Sequence, residues 1–266
     1  MKKYQFLISQ GSAILLGIAT IFIATEYSTL QAQETDGNTT IEEIAEDENT
    51  TLGEEVTVRG EVEEVEPGVS FAIEEEDLFE EDQVLVINVS EQVVPEDVED
   101  FRIQVTGEIG TLVLADVERD YGLDLDPELY TEYETKPVIF ASYIVAAPEL
   151  EAVSEDPEFY YDREIALEGE VGEIRNDYSF ILKEDQLIGG DDLLMINATG
   201  EAIPEQDQAV VVTGVVRSFV KADFEKDYDL TWDLDVQEEI EAEYTNKPVL
   251  VVDSIYPVAE DDGLLE

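Results

Sequence analysis

An internal repeat constrains the fold of this chain more than any other feature of its 266 residues. The segment VTVRGEV at 56–62 recurs at 165–171 as IALEGEV, an offset of 109 residues. This period far exceeds solenoid or propeller units and matches the size of an independent domain, so we expect two copies of one domain. Further matches at or near this offset are Ser70-Phe71 with Ser179-Phe180, Leu85-Val86-Ile87-Asn88 with Leu194-Met195-Ile196-Asn197, Val105-Thr106-Gly107 with Val212-Thr213-Gly214, and Lys136-Pro137-Val138 with Lys247-Pro248-Val249.

Within each copy, apolar and polar residues alternate with a period of two, which is typical of half-buried strands. Val56, Val58 and Val62, for example, alternate with Thr57 and Glu61. Glycines at matched positions inside these runs (Gly60 with Gly169, Gly107 with Gly214) predict bends in a coiled sheet. The pattern predicts five strands per copy, at 55–65, 69–74, 83–89, 101–113 and 137–146, and at 164–174, 178–183, 192–198, 208–218 and 248–256.

A longer insert separates strands four and five in each copy and carries a helix signal. Asp126 is followed by Pro127, and Asp235 by Val236-Gln237-Glu238, so each Asp is a candidate N-cap. We expect helices of about two turns that end before the Lys-Pro pair of each copy. The predicted fold is mainly β: two tandem five-stranded OB-fold-like barrels, each with a short helix between strands 4 and 5.

The order of motifs in each copy also resembles a known kind of domain. Val-x-Val-x-Gly-x-Val, Ser-Phe, Leu-x-Ile, Val-Thr-Gly, Asp-Tyr, Leu-Asp and Lys-Pro-Val follow one another over about 52–148 and again over 159–258. This order resembles an uncharacterised exported bacterial domain that is similar in layout to the periplasmic bacterial OB-fold family. The resemblance implies a small exported β-barrel without known catalytic residues. That family is proposed to bind small ligands or cations, but none of its binding residues can be placed on this sequence.

The N-terminus has the layout of a secretory signal peptide. Lys2 and Lys3 precede an apolar run at 12–24, and a polar stretch then ends with Leu30-Gln31-Ala32. The alternative is an uncleaved membrane anchor over residues 6–24, which is close to the length that spans a bilayer. Either reading predicts export to the periplasm, the cell surface or the medium. The predicted organisation is a signal peptide or anchor at 1–32, an acidic flexible leader at 33–51, barrels at 52–148 and 159–259, a linker at 149–158, and an acidic tail at 260–266.

Composition excludes most familiar catalytic chemistry. The chain contains no Cys and no His. Disulfides, Cys/His zinc sites, Cys nucleophiles and Ser-His-Asp triads are therefore excluded. Paired carboxylates could suggest a glycosidase, but a chain with 68 acidic residues places many such pairs by chance. We expect a protein that is not an enzyme.

Net charge bears on partners. The 68 acidic residues face only 13 basic ones, which gives a formal charge of −55. A chain this acidic is expected to repel phosphate backbones, so nucleic acid is predicted not to be a partner. We expect cations or basic protein surfaces as partners, and contact with a membrane only through an uncleaved N-terminal segment.

Two matched groups of aspartates are candidate ligands for a hard cation such as Ca²⁺. Carboxylates spaced two to four residues apart in a turn can converge on such an ion. The EF-hand pattern is missing, and the alternative is that Asp126 and Asp235 cap helices while the others are solvated. The candidate residues are Asp120, Asp124 and Asp126 in DYGLDLD, and Asp227, Asp233 and Asp235 in DYDLTWDLD.

Three other features have structural interpretations. Asn88 and Asn197 match the glycosylation triplet but end strand three in both copies, where a turn role is expected. The pairs Tyr121/Tyr228 and Tyr133/Tyr244 flank the insert and are expected to anchor its packing.

The sequence thus predicts a non-catalytic exported binding or interaction module that responds to cations. The alternative is a structural or solubilising acidic envelope protein adapted to high salt, without a specific ligand.

Overall fold

Ten β-strands make up most of the regular structure in the computed structural model of the chain, within the residues that it describes. These residues are 38–46, 52–75, 83–90, 92, 102–184, 192–221, 224 and 240–259. The strands of the first half are β1 (Glu55–Glu66), β2 (Ser70–Glu74), β3 (Gln83–Asn88), β4 (Arg102–Thr111) and β5 (Pro137–Ala146). Those of the second half are β6 (Glu164–Asn176), β7 (Ser179–Lys183), β8 (Asp192–Asn197), β9 (Ala209–Ser218) and β10 (Pro248–Pro257). The predicted mainly β fold is confirmed, and every predicted strand end lies within two residues of the observed one.

The first five strands close into a barrel. Strand β1 pairs antiparallel with β2 and with β4, β2 pairs with β3, and β4 pairs with β5. The barrel closes where β3 runs parallel to β5, with Leu85 beside Val138. Every strand therefore has two hydrogen-bonded neighbours, and this half of the sheet has no free edge.

The strands of the second half repeat this pairing. Strand β6 pairs with β7 and with β9, β7 pairs with β8, and β9 pairs with β10. The parallel pair is now β8 with β10, where Leu194 lies beside Val249. We refer to β1–β5 and β6–β10 as the first and second rings.

The continuous apolar runs of β3 and β5 are explained by burial on both faces. Val84 and Val86 of β3 contribute to the core inside the first ring, whereas Leu85 and Ile87 face a second apolar cluster formed with the insert. The second ring follows the same rule, with Met195 of β8 in the inner cluster and its neighbours in the outer one. An alternating strand has one solvated face, and these strands have none.

The matched glycines lie where a neighbouring backbone passes close by. A Cβ built on Gly107 would lie 2.4 Å from the Phe140 carbonyl oxygen, and one on Gly214 would lie 2.1 Å from the Val251 carbonyl oxygen. In the first ring the β4–β5 register shifts beside Gly107, and in the second the β9–β10 register shifts just after the pair of Gly214 with Val252. The predicted bends therefore depend on close approach of two strands, which a side chain at either position would prevent.

The insert of the first ring differs from the prediction. An α-helix, α2 (Leu114–Tyr121), lies earlier than expected and ends at Gly122, which has φ 72°. Asp126 does not start a helix: its side chain accepts a hydrogen bond from the Glu128 amide at 3.0 Å and closes a turn, and only the short 3-10 segment Thr131–Tyr133 follows. A helix was not expected at 114 because Val113 precedes it with no side-chain cap.

The second insert is described only in part. Residues 240–244 are helical and end before Lys247, while Asp235, the expected start of that helix, lies outside the described residues.

Two short helices correct the predicted flexible leader and linker. Helix α1 (Ile41–Glu46) lies in the segment predicted to be a flexible leader, and α3 (Leu150–Glu155) lies in the predicted linker. Ile41 and Ile44 are 0% and 2% exposed and pack into the core of the first ring. Leu150 and Val153, exactly 109 residues later, are 1% and 0% exposed and pack into the second. Each copy of the repeat therefore starts with its own helix, whose apolar pair at i and i+3 covers the ring.

A further helix, α4 (Pro157–Tyr160), follows α3 and leads into β6. None of the helices in the described residues is both long enough and apolar enough to span a bilayer. The predicted signal peptide or anchor at 1–32 lies outside the described residues.

Candidate functional site

The two rings meet through residues at equivalent positions of the repeat. Arg59 of β1 and Glu168 of β6 are 109 residues apart, and the guanidinium Nη2 lies 3.2 Å from the carboxylate Oε2. The Arg59 side chain is only 9% exposed, whereas that of Glu168 is 45% exposed. A bridge between Ala146 of β5 and Ile165 of β6 joins the same region. The sequence thus places opposite charges at one repeat position, and the fold brings them into contact.

An apolar cluster and a buried hydrogen bond surround this ion pair. Val145 and Ala166 are buried in a cluster that draws residues from both rings. The Tyr256 hydroxyl of β10 donates a hydrogen bond to the Gln104 side-chain oxygen of β4. Burial raises the pKa of Tyr256, and the nearby Arg59 acts in the opposite direction. The contact between rings is therefore well shielded from water at its centre.

The Arg59 guanidinium is incompletely paired. Its Nε and Nη1 are buried and have no hydrogen-bond partner among the described residues. A buried donor without a partner costs free energy, and a buried charge costs more. The Arg59 side chain is thus a polar group that a further acceptor would stabilise.

A cavity of about 380 Å³ lies beside Arg59, between the two rings. This volume falls in the range of small-molecule sites. Small apolar residues, among them Ala147, Ala166, Gly169 and Ala209, form part of its wall. The charged residues of the wall are Arg59, Arg102, Glu149, Glu168, Glu170 and Glu184.

The charges of the wall are segregated by their origin in the chain. Both arginines come from the first ring, Arg59 on β1 and Arg102 at the start of β4. The four glutamates come from the segment that starts the second copy, from β6 and from the end of β7. One of them, Glu184, accepts a hydrogen bond from the Glu151 amide at 2.9 Å, and Glu170 lies 4.0 Å from the Lys183 ammonium. The cavity therefore offers both cationic and anionic groups.

The predicted cation ligands lie elsewhere, on the insert of the first ring. Arg119 holds Asp120 through two contacts of 2.8 Å and so lowers the pKa of that carboxyl group. Asp126 closes the turn described above, and Asp124 lies between them in the chain. Within the described ranges, no three acidic side chains come close enough together to hold a metal ion. Asp227, Asp233 and Asp235 lie outside the described residues. The Ca²⁺ site at these positions stays a prediction.

The structure confirms the turn role of the two asparagines. Asn88 is 6% exposed; its amide donates to the Gln92 carbonyl at 3.0 Å, and its oxygen accepts from the Ser90 hydroxyl at 2.6 Å. The second ring repeats this geometry around Asn197, with Thr199 in place of the serine and bonds of 2.9 and 2.6 Å. Buried side chains of this kind hold the end of a strand.

The tyrosines of the insert also serve packing. Tyr133 and Tyr244 are 3% and 8% exposed and lie in the outer apolar clusters of their rings. Tyr121 stacks on Phe140 with ring centroids 5.7 Å apart. Tyr228 lies outside the described residues.

Sequence reasoning missed Arg59 and Arg102 as site residues because the bases appeared scattered along the chain. One signal was available: Arg59 faces its own repeat equivalent, Glu168, with the opposite charge. In a chain with 13 basic residues, an arginine inside a matched strand is an unusual choice.

Comparison with known proteins gives two likenesses among solved structures. No family model matches the chain, and no curated protein matches it. One solved chain is described as an aspartyl-tRNA synthetase from Leishmania major Friedlin, with 14% identity and a TM-score of 0.27 over 46% of this chain. The other is the aspartyl-tRNA synthetase from Entamoeba histolytica, with 13% identity, the same TM-score and the same coverage. The chain spans 22% and 23% of the lengths of these two proteins.

These likenesses correct the exclusion of nucleic acid as a partner. Both solved chains are named as synthetases that act with tRNA, so the prediction that nucleic acid is excluded is wrong as a general statement. Its physical error was to apply the formal charge of the whole chain to each local surface. Arg59 and Arg102 lie together in one wall despite a net charge of −55. At a TM-score of 0.27, the likenesses equally assign no nucleic-acid ligand to this chain.

Proposed function

We propose that this chain is a non-catalytic, exported binding module built from two tandem OB-fold-like barrels, with its ligand site in the cavity between them. Support for the two barrels comes from the closed pairing order, which is the same in both rings. Support for export comes from the N-terminal pattern of Lys2, Lys3 and the apolar run at 12–24.

The observation that carries this proposal is the state of Arg59 in the cavity wall. Its side chain is nine-tenths buried, and two of its nitrogens lack a partner among the described residues. A structural arginine at an interface normally has its donors satisfied, because an unpaired buried donor costs about 1–3 kcal/mol. A cavity of ligand size beside such a group is typical of a binding site that is partly preformed.

A binding role agrees with the chemistry of the wall better than catalysis does. The described residues that line the cavity are arginine, glutamate and small apolar residues, without a side-chain hydroxyl, thiol or imidazole. Nucleophilic catalysis has no candidate nucleophile other than a carboxylate there. We therefore propose binding without turnover.

A thermal-shift screen with a blocked cavity tests this function. Ala209 is exposed at the start of β9 and lines the cavity, so Ala209→Trp fills the space without entering a core. Ala202→Trp, at an exposed position outside the cavity wall, is the matched control. The probes are small carboxylic acids, amines and amino acids, each added to the full chain.

A probe present at about 100 times its Kd should stabilise the protein by about 2.7 kcal/mol. For a chain of this size, that corresponds to a rise in Tm of roughly 5–10 °C. We expect the rise to disappear in Ala209→Trp and to persist in Ala202→Trp. A rise of equal size in both variants, or no rise with any probe, contradicts a ligand site in the cavity.

A response to cations is a separate part of the proposal and involves the insert. We propose that Asp120, Asp124 and Asp126 contribute to a weak Ca²⁺ site, with Kd in the range of about 10⁻⁶ to 10⁻³ M. Calorimetry at fixed ionic strength should show saturable binding that is lost in Asp124→Asn. A flat titration of the full chain dismisses the Ca²⁺ site.

The high charge supports an alternative function, that of an acidic envelope protein adapted to salt. A formal charge of −55 destabilises a compact chain through self-repulsion, which salt screens. This alternative requires no ligand, and it fails if the Tm does not depend on salt.

A further inference from the structure

We propose that the cavity between the rings binds a small zwitterion, a molecule with one carboxylate and one ammonium group joined by a short carbon chain. This inference rests on the proposed function, since it names the ligand class of the same cavity. It depends on three observations, which concern the arginines, the glutamates and the charge of the whole chain.

The arginines provide the site for a carboxylate. Arg59 already contacts Glu168 through Nη2, and its Nε and Nη1 remain without a partner in the described part of the chain. Arg102 is half-buried at the start of β4 and lines the same cavity. A guanidinium group can bind a carboxylate through two parallel N–H donors, a geometry that a single ammonium cannot offer. A ligand carboxylate would thus supply the acceptor that Arg59 lacks.

The glutamates provide the site for an ammonium group. Four of them line the cavity against two arginines, so the wall carries an excess of negative charge. Glu168 is engaged with Arg59 and Glu184 with a backbone amide, which leaves Glu149 and Glu170 as the principal acceptors. A ligand with a carboxylate alone would bring a third kind of negative charge beside these residues. A ligand with both groups matches both parts of the wall.

The charge of the whole chain favours a ligand without net charge. At −55, the long-range field of the protein opposes the approach of an anion. A cation would be attracted, but it would leave the Arg59 nitrogens unpaired. A zwitterion enters without net repulsion and satisfies both signs of charge, so the combined observations select it over a simple anion or a simple cation.

The size of the cavity limits the ligand to a small molecule. A volume of about 380 Å³ accommodates an amino acid with a short chain between its charged groups. Ala147, Ala166 and Gly169 offer the methylene groups of such a chain a smooth apolar surface. The distance between the two ligand charges is the property that the experiment measures.

Calorimetry of the full chain with matched probes tests the inference. The probes are glycine, 4-aminobutyrate and 6-aminohexanoate, which carry both charges at increasing separation. Acetate, butyrate and hexanoate lack the ammonium group, and methylamine, butylamine and hexylamine lack the carboxylate. We expect at least one amino acid to bind about tenfold or more tightly than its acid and its amine, the factor that one charge-assisted hydrogen bond provides.

Two variants and a control locate the binding. Arg102→Gln removes one base from the wall while it keeps the Arg59–Glu168 contact, and it should weaken the amino acid about tenfold or more. Glu170→Gln removes one acid and should weaken the same amino acid while leaving the binding of its carboxylic acid analogue unchanged. Arg119→Gln also removes one base, but from the exposed face of α2, and should leave the affinity unchanged.

The outcomes separate the two proposals. If an acid or an amine binds as tightly as the amino acid and loses affinity in Arg102→Gln, the zwitterion inference is overturned and the cavity remains a binding site. The same conclusion follows if a short single-stranded RNA binds in place of the amino acids and depends on Arg102. If no amino acid binds, the inference is overturned, and the screen with Ala209→Trp decides the proposed function by itself.

Discussion

Helix α1 offers the clearest test of how far the fold extends toward the N-terminus. Ile41 is 0% exposed, and its Cδ1 would lie 2.7 Å from a Cβ built on Gly60, so the side chain contacts the β1 backbone directly. The Ile41 amide also donates to the Glu75 carboxylate at 2.7 Å. These contacts would not exist if the segment before residue 52 were a flexible leader. The substitution Ile41→Ala therefore measures whether α1 is part of the core.

The expected cost follows from the atoms removed. Ile41→Ala deletes three buried carbon groups, which at about 0.8 kcal/mol each amounts to about 2.4 kcal/mol of lost burial. The cavity left behind adds to this, and buried Ile→Ala changes cost about 2–5 kcal/mol in total. For a chain of this size, the Tm should fall by roughly 4–20 °C.

Urea and thermal unfolding, followed by far-UV circular dichroism, give both quantities. Leu150→Ala, at the equivalent position of α3 and 1% exposed, should destabilise the protein by a similar amount. Leu52→Ala is the control, because that side chain is 59% exposed and should change the free energy of unfolding by less than about 0.5 kcal/mol. An Ile41→Ala variant with the stability of the control would refute the assignment of α1 to the repeat.

Three further predictions concern buried hydroxyl groups and charge. Tyr130 donates to Glu66 at 2.7 Å and lies 2.8 Å from the Ser70 hydroxyl, so Tyr130→Phe should cost about 1–3 kcal/mol in urea unfolding, and a neutral result contradicts this network. Ser179, the repeat equivalent of Ser70, has a buried hydroxyl without a partner in the described residues, so Ser179→Ala should be neutral or stabilising by about 1 kcal/mol, and a clear loss of stability would show an unseen partner. Burial raises the pKa of Tyr130 and Tyr143, so their contribution to stability is complete below pH 10 and is lost above it, by at most about 1.4 kcal/mol per residue and pH unit; unfolding free energies that do not change between pH 9 and pH 11 would disprove this. If the chain is adapted to salt, its Tm should rise equally with NaCl and KCl, whereas a Tm independent of salt argues against that alternative.

The strands could be predicted from the sequence because their signal is local. Alternation with period two, glycines at points of close approach and apolar runs buried on both faces all act within a few residues. The repeat doubled each of these signals, since a weak pattern in one copy was supported by its equivalent in the other. The strand ends were correct within two residues for this reason.

The short helices show where local signals were insufficient. Ile41 and Ile44 are two apolar residues among many acids, a composition that indicates disorder when read alone. Comparison with Leu150 and Val153 at the repeat offset would have identified α1. Asp126 looks like an N-cap, but the same side chain can close a turn, and tertiary packing of the insert decided between the two.

The cavity could not be predicted from the sequence, because it depends on how the two rings pack against each other. Arg59 and Arg102 are 43 positions apart, and Glu168 and Glu184 come from the other copy. Only the opposite charges of Arg59 and Glu168 at one repeat position hinted at the contact.

Chemical-shift mapping tests the central claim, a ligand site between the rings, most directly. The ¹⁵N-labelled full chain would be titrated with whichever of the three amino acids binds most tightly in calorimetry. We predict that the shifted amides centre on residues 59, 102, 147–150 and 166–170, which surround the cavity. Shifts confined to the insert at 114–136, or spectra that do not change at saturating probe, would contradict the account.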